Sequence, residues 1–491
     1  MVHSQRRTIT LLHFSDYHGQ ATPFYTEGQS NVAGLARAIA YLRPYAEDPN
    51  TLIFNGGDVM SLGHPSWSDK YYYADWTMFN DIVDAMALGN HDAAYGPEIF
   101  TQCRESIKYP IVSANTCNSD DQPLFLHNGK NYVVFEIENI RIGVFGLAGS
   151  DFDRLIPLQH RPTPNTHFAN RVEMAQHIVS TLQTQERVHV IVLIGHSSQA
   201  DDIALAQTVP GIDIIFGSHS HIKEELYRIP ETQTYMISPF QYLMYISKLE
   251  LTLIDEQLSQ IEGGLIPMSP DLPEDVHVAS EVARMQQNFA QDRRFTMLFE
   301  PLGRATKELT LNHIMTGESL LGNFVTDIVR ATSHAHIALM TANSFRAPLP
   351  PGIIREQHLQ AALPYDNQIL CYTLRGEQIL TLLNYSISCR GSDMFSQLSG
   401  VRITIEQQRL VSVQITANPT DTTAGYETLI PTKEYKMAVA DFQAQIVNGY
   451  RDIFADAAYS VTQRDLRNEV RLYIQNAAAI TATLDGRIQT V

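Results

Sequence analysis

The sequence predicts an α/β protein: a mixed sheet covered by helices, followed by a smaller, separate α+β domain. Three observations carry this reading. Short β-branched runs alternate with helix-period segments through the first half. Around residues 269–274 the composition turns rich in Pro, Ser and Asp, and a different set of elements follows without repeating the first.

In order, the first half offers strand runs at 8–14, 51–54, 84–88, 188–194 and 212–216. Helical spacing fills 31–46, 71–82 and 169–185. Runs at 132–138 and 141–147, joined at Glu138-Asn139, read as a hairpin, so the sheet is mixed. A mostly polar helix pattern at 276–291, carrying Ala279, Val282, Met285 and Phe289, reads as a linker. The expected division is 1–271, a linker over 272–298, and 299–491. In the last part, helices are expected at 320–331 and 376–387 and strands at 337–340, 369–374, 401–405, 411–415 and 435–440.

At 491 residues, 44% of them hydrophobic, the chain can fill the cores of two or three domains. Its 35 Lys and Arg against 53 Asp and Glu leave a net charge of −18, which disfavours a generic grip on a nucleic acid polymer. An anionic substrate must be held locally. The four cysteines form no C-x-x-C, excluding a thiolate zinc module and a disulfide-dense scaffold. No run approaches the roughly 20 apolar residues of a spanning helix, and the first residues lack a leader pattern. The expectation is a soluble, cytoplasmic protein with no membrane partner.

Each apolar run of the first half ends in metal-binding residue types: Asp16 and His18, then Asp58, then Asn90-His91, then His196, then His219 and His221. Strand ends in such folds converge on one edge, where ligand sites lie. A single D-x-H or G-N-H is most often a turn or surface pair, but five such groups in succession point to one metal centre. Carboxylates, an amide and imidazoles without thiolate suit Mn, Zn, Fe, Co or Ni. The donors outnumber the four of one tetrahedral ion, so two ions sharing a bridging carboxylate are expected, with Asp58 the natural bridge.

The order D-x-H, G-D, G-N-H, H, G-H-x-H within Asp16 to His221 resembles the calcineurin-like metallophosphoesterases. The segments at 318–327, Arg346-Ala347, 363–367, 399–402 and 441–450 resemble the 5′-nucleotidase C-terminal domain, and Asn31 to Arg37 and Ser113-Ala114-Asn115 extend the likeness over nearly the whole chain. The resemblance implies a four-layer sandwich before the α+β domain and two divalent ions (Mn, Zn, Fe or Co). One ion would sit at Asp16, His18, Asp58 and His221, the other at Asp58, Asn90, His196 and His219. It also implies that His91 contacts the substrate phosphate and leaving oxygen, that Arg346 binds phosphate, and that Tyr365 and Phe442 clamp a nucleobase. The implied activity is hydrolysis of a nucleoside monophosphate or another small phosphate ester.

Four positions depart from the family pattern. Ala94 stands where an acid would orient His91, Gly317 where a phosphate arginine is expected, and Thr341 and Asn448 where the family has Asn and a ribose-binding Asp. The altered substrate shell keeps other readings open: a cyclic nucleotide, a nucleotide sugar or a sulfur-containing substrate, or a metal-binding pseudoenzyme with weak turnover.

Overall fold

The computed structural model describes residues 5–26, 29–61, 65–71, 74–419, 425–455 and 457–491. The chain folds as two compact units, the second comprising residues 290–491 apart from short segments of the first half.

The first unit contains two six-stranded sheets. In one, Arg6–Phe14, Thr51–Asn55, Ala85–Ala87 and Ile111–Val112 run parallel, with Tyr245–Ile254 antiparallel beside Arg6–Phe14. In the other, Ile140–Phe145, Val190–Leu193, Ile214–Phe216 and Tyr235–Pro239 run parallel, flanked by antiparallel Val133–Ile137 and Lys223–Arg228. The inner faces meet in one apolar core that includes Leu11, Phe54, Val144, Val192, Ile214 and Phe216. The helices Arg171–Thr184 and Gln199–Thr208 cover the outer face of the second sheet through Ile178, Leu182 and Leu205. Leu35–Ala46 buries Leu35, Ala38, Ile39 and Leu42. The result is the four-layer sandwich.

The hairpin turns at Glu138 and Asn139, both with positive φ, as a tight two-residue hairpin requires. Two helix expectations need correction. The helix expected from residue 31 starts only at Leu35, because Asn31, Ala33 and Gly34 take positive φ and Gln29–Val32 is a strand. Of the helix expected over 71–82, residues 72–73 lie outside the described residues. Ala74–Met78 is helical, and the chain then turns through Asp81 at φ 64°.

The helix Val276–Gln291 begins against the first unit. Its Asp275 cap accepts from Arg43, and the buried Arg37 guanidinium bridges the carbonyls of Asn31, Ala33 and Leu272 to Glu274. In the second unit a five-stranded sheet separates two cores by strict alternation. Ala338 and Met340 face one core, while Ile337 and Leu339 face the other. Among the described residues, no helix is long and apolar enough to cross a membrane.

Candidate metal centre

The motif residues sit just beyond the carboxyl ends of the parallel strands. The loop after Arg6–Phe14 is laced to the loop after Thr51–Asn55: Asp16 N–H donates to Gly57 O at 3.0 Å, and His18 N–H donates to Asp58 O at 2.9 Å. Asp16, His18, Asp58, His219 and His221 all hold φ between 48° and 59°. For non-glycine residues this left-handed backbone costs about 1–2 kcal/mol each, and such strain collects at functional sites. Gly89 is required by crowding, since a Cβ there would lie 2.1 Å from Asp58 Oδ1.

These turns bring the side chains together. His18 Nε2 lies 3.0 Å from His221 Nε2, and His221 Nε2 lies 3.2 Å from Asp16 Oδ1. Asp58 Oδ2 is 3.7 Å from His18 Nε2 and 3.2 Å from His196 Nε2, between the two halves of the cluster. Three sets each place their donor atoms within 4.8 Å of one another: Asp16, His18 and His221; Asp58, His196 and His219; and His18, Asp58 and His91. Asn90 Oδ1 is buried without a hydrogen bond, and His196 Nε2 faces Asp58 Oδ2 at 3.2 Å. Buried polar atoms without partners need an explanation, and a divalent ion fits an oxygen and imidazole set of this kind.

Around this cluster stand residues whose part the motifs did not reveal. Asp92, beside His91, turns its carboxylate away to accept the N–H groups of Asp58 at 2.8 Å, Met60 at 3.1 Å and Gly89 at 3.1 Å. It therefore ties two of the ligand-bearing loops together. Asp151 Oδ2 lies 3.1 Å from His219 Nε2. Tyr242 donates its N–H to Asp16 O at 2.8 Å from a turn in which Phe240, Tyr242 and Leu243 all have positive φ. An acid directly after G-N-H is the only sequence signal for Asp92; Asp151 and Tyr242 have none.

Charge is finely balanced. Burial works against charge on His196, yet the Asp58 carboxylate and then Asp16 raise it to about 10. Burial likewise opposes charge on His219, and Asp151 raises it. Burial would push Asp16 up, but the hydrogen bond and charge of His221, with His196, hold it below the usual carboxylate range. Burial dominates at His18, which is pushed well below the usual imidazole range despite Asp58. The Asp16 and Asp58 carboxylates are thus held ionised and a proton is drawn to His196, as opposite charges in a buried cluster favour one another.

The residues expected to bind substrate lie in the second unit. Arg346 Nη2 and Nε donate to the Tyr365 hydroxyl at 2.9 and 3.2 Å, so the structure joins these two. Phe442 is the second residue of the helix Asp441–Gln445 and packs against an apolar core. Asn448 is exposed, and its carbonyl accepts from the Tyr385 hydroxyl at 2.8 Å. Gly317 O accepts from Gln397, and a Cβ at 317 would meet only His313 at 3.7 Å, so the position has room for a side chain.

A model of the calcineurin-like phosphoesterases matches residues 9–223, and a model of the 5′-nucleotidase C-terminal domain matches residues 301–456. The chain is 24% identical over 532 residues to the 5′-nucleotidase of Diplobatis ommata, an alignment spanning 98% of this chain and 89% of that one. Among solved structures, a 5′-nucleotidase precursor of Thermus thermophilus superposes with a TM-score of 0.77 at 24% identity, covering 99% of each chain. The sulfate thiohydrolase SoxB of Thermus thermophilus, in complex with glycerol, superposes with a TM-score of 0.74 at 18% identity, covering 98% of this chain and 96% of that one. Both share the fold.

Proposed function

Because the chain belongs to the 5′-nucleotidase family, joining a calcineurin-like phosphoesterase domain to a 5′-nucleotidase C-terminal domain, we propose that it is a two-metal hydrolase releasing phosphate from a nucleoside monophosphate or related nucleotide. The observation that supports this most strongly is the gathering of Asp16, His18, Asp58, His91, His196, His219 and His221 from five strand ends, beside the buried Asn90 Oδ1, which has no hydrogen bond. In this reading residues 1–271 carry the metal centre, 272–298 connect the domains, and 299–491 carry the substrate residues.

Asp16, His18, Asp58 and His221 hold one ion; Asp58, Asn90, His196 and His219 hold the other. When bound, two divalent ions (Mn, Zn, Fe or Co) acidify a water and neutralise phosphoryl oxygens. His91 stands beside the leaving oxygen as proton donor. Arg346 pairs with phosphate, Tyr365 and Phe442 stack on the base, and Asn448 takes a ribose hydroxyl.

His196 must give up its proton to act as a ligand. Its pKa, raised to about 10, keeps it protonated throughout the neutral range. Affinity of the metal-free protein for Mn²⁺ is therefore expected to rise with pH, about tenfold per unit for one displaced proton, between roughly pH 6 and 8. Chelator competition measures it, and a flat affinity contradicts the assignment.

A second reading is favoured by the bare Gly317 and by Asn448. A substrate phosphate with less charge, in a cyclic nucleotide or nucleotide sugar, needs fewer arginines. Initial rates on 5′- and 3′-nucleotides, cyclic nucleotides and nucleotide sugars, with Mn²⁺ or Zn²⁺ added, decide between them. The expected result is fastest turnover of 5′-monophosphates, with Phe442→Ala raising KM about tenfold or more while hydrolysis of a simple aryl phosphate is retained. Fastest turnover of a diester overturns the monophosphate reading, and an unchanged KM removes the clamp. Metal binding without turnover of any of these leaves a pseudoenzyme.

A further inference from the structure

We infer that Asp151, together with Phe152, is a positioning pair for His219 and sets the affinity of the ion held by Asp58, Asn90, His196 and His219; this rests on the two-metal reading above. Asp151 lies beyond the strand Ile140–Phe145, which runs parallel to Val190–Leu193. A further bridge between Ala148 and His196 carries the chain alongside the cluster. Asp151 Oδ2 then meets His219 Nε2 at 3.1 Å, with both side chains largely shielded from solvent.

A ring proton on Nε2 donates to this carboxylate, which leaves the Nδ1 lone pair as the donor to a cation. Backing an imidazole ligand with a carboxylate fixes its tautomer and orientation and makes it a stronger donor. Two other imidazoles of the cluster, His18 and His196, are held differently. His18 Nδ1 faces the Met60 carbonyl at 3.1 Å and His196 Nδ1 faces the Gly56 carbonyl at 2.6 Å, both neutral partners.

Phe152 adds a second hold. It is fully buried, and its ring centroid lies 6.1 Å from that of His196 and 6.4 Å from that of His219. Adjacent residues thus back both imidazoles of one group, one by charge and one by packing. Neither residue belongs to any of the motifs that mark the ligands.

The test is ion binding by the full chain, stripped of metal and titrated with Mn²⁺ against a chelating indicator, with ion content counted after dialysis. The parent is expected to hold two ions. Asp151→Asn is expected to keep one at parental affinity and weaken the other about 10- to 100-fold, with Asp151→Glu recovering part of the loss. Asp151→Ala should behave as Asp151→Asn does. If both variants bind two ions as tightly as the parent, the inference is overturned. It is also overturned if both ions weaken together alongside a lowered metal-free midpoint, since that marks a general structural role. A parent holding fewer than two ions overturns the two-metal reading itself.

Discussion

Asp58→Ala is expected to lower phosphate-ester hydrolysis at least ~10³-fold and to release both ions. Each feature of this carboxylate is committed. Its backbone N–H is held by Asp92 at 2.8 Å, its Oδ1 accepts the His91 N–H at 2.8 Å, and its Oδ2 faces His18 and His196. Removing it deletes a carboxylate within reach of both His18 and His196 and leaves Asp16 alone to face the buried imidazoles. Asp58→Asn separates loss of charge from loss of shape, because the amide oxygen can still accept from His91. Metal analysis and rates on an aryl phosphate measure the effect. An Asn variant that retained two ions and near-parental turnover would remove Asp58 as the bridge.

His91→Ala is expected to lower kcat about 10²- to 10⁴-fold on nucleotides, the range for a lost proton donor, and considerably less on an aryl phosphate whose leaving group needs no proton. The ring lies edge-on to His18 with centroids 4.9 Å apart, at the mouth of the cluster. Ala94 offers no polar group, and both Asp92 oxygens are engaged by backbone N–H groups. Ala94→Asp, which puts an acid where the family pattern has one, should raise kcat by roughly an order of magnitude; an unchanged kcat gives the orienting part to another group. Ion counts belong beside the rates, because His91 also lies within reach of His18 and Asp58. Loss of an ion in His91→Ala would make it a ligand, and equal losses on both substrates would end its role as an acid.

The pattern of the chain determined a good deal by itself. Strand runs ending in Asp, Asn and His are local features, written within a few residues, and a parallel sheet aligns its own strand ends; that two stacked sheets, one carrying Arg6–Phe14, Thr51–Asn55 and Ala85–Ala87 and the other Val190–Leu193 and Ile214–Phe216, bring their ends together was decided by the tertiary structure. The strict alternation at 337–340 likewise assigned Ile337 and Leu339 to one face and Ala338 and Met340 to the other, because strand side chains repeat every two residues. Only the tertiary structure decided that Asp92 serves three backbone N–H groups rather than His91, and that Asp151 meets His219 across 68 residues. Both depend on how loops turn, through backbone angles that no periodicity encodes. The positive φ at Asp16, His18, Asp58, His219 and His221 shows why: the turns that aim these side chains are held by the packed sandwich against their local preference.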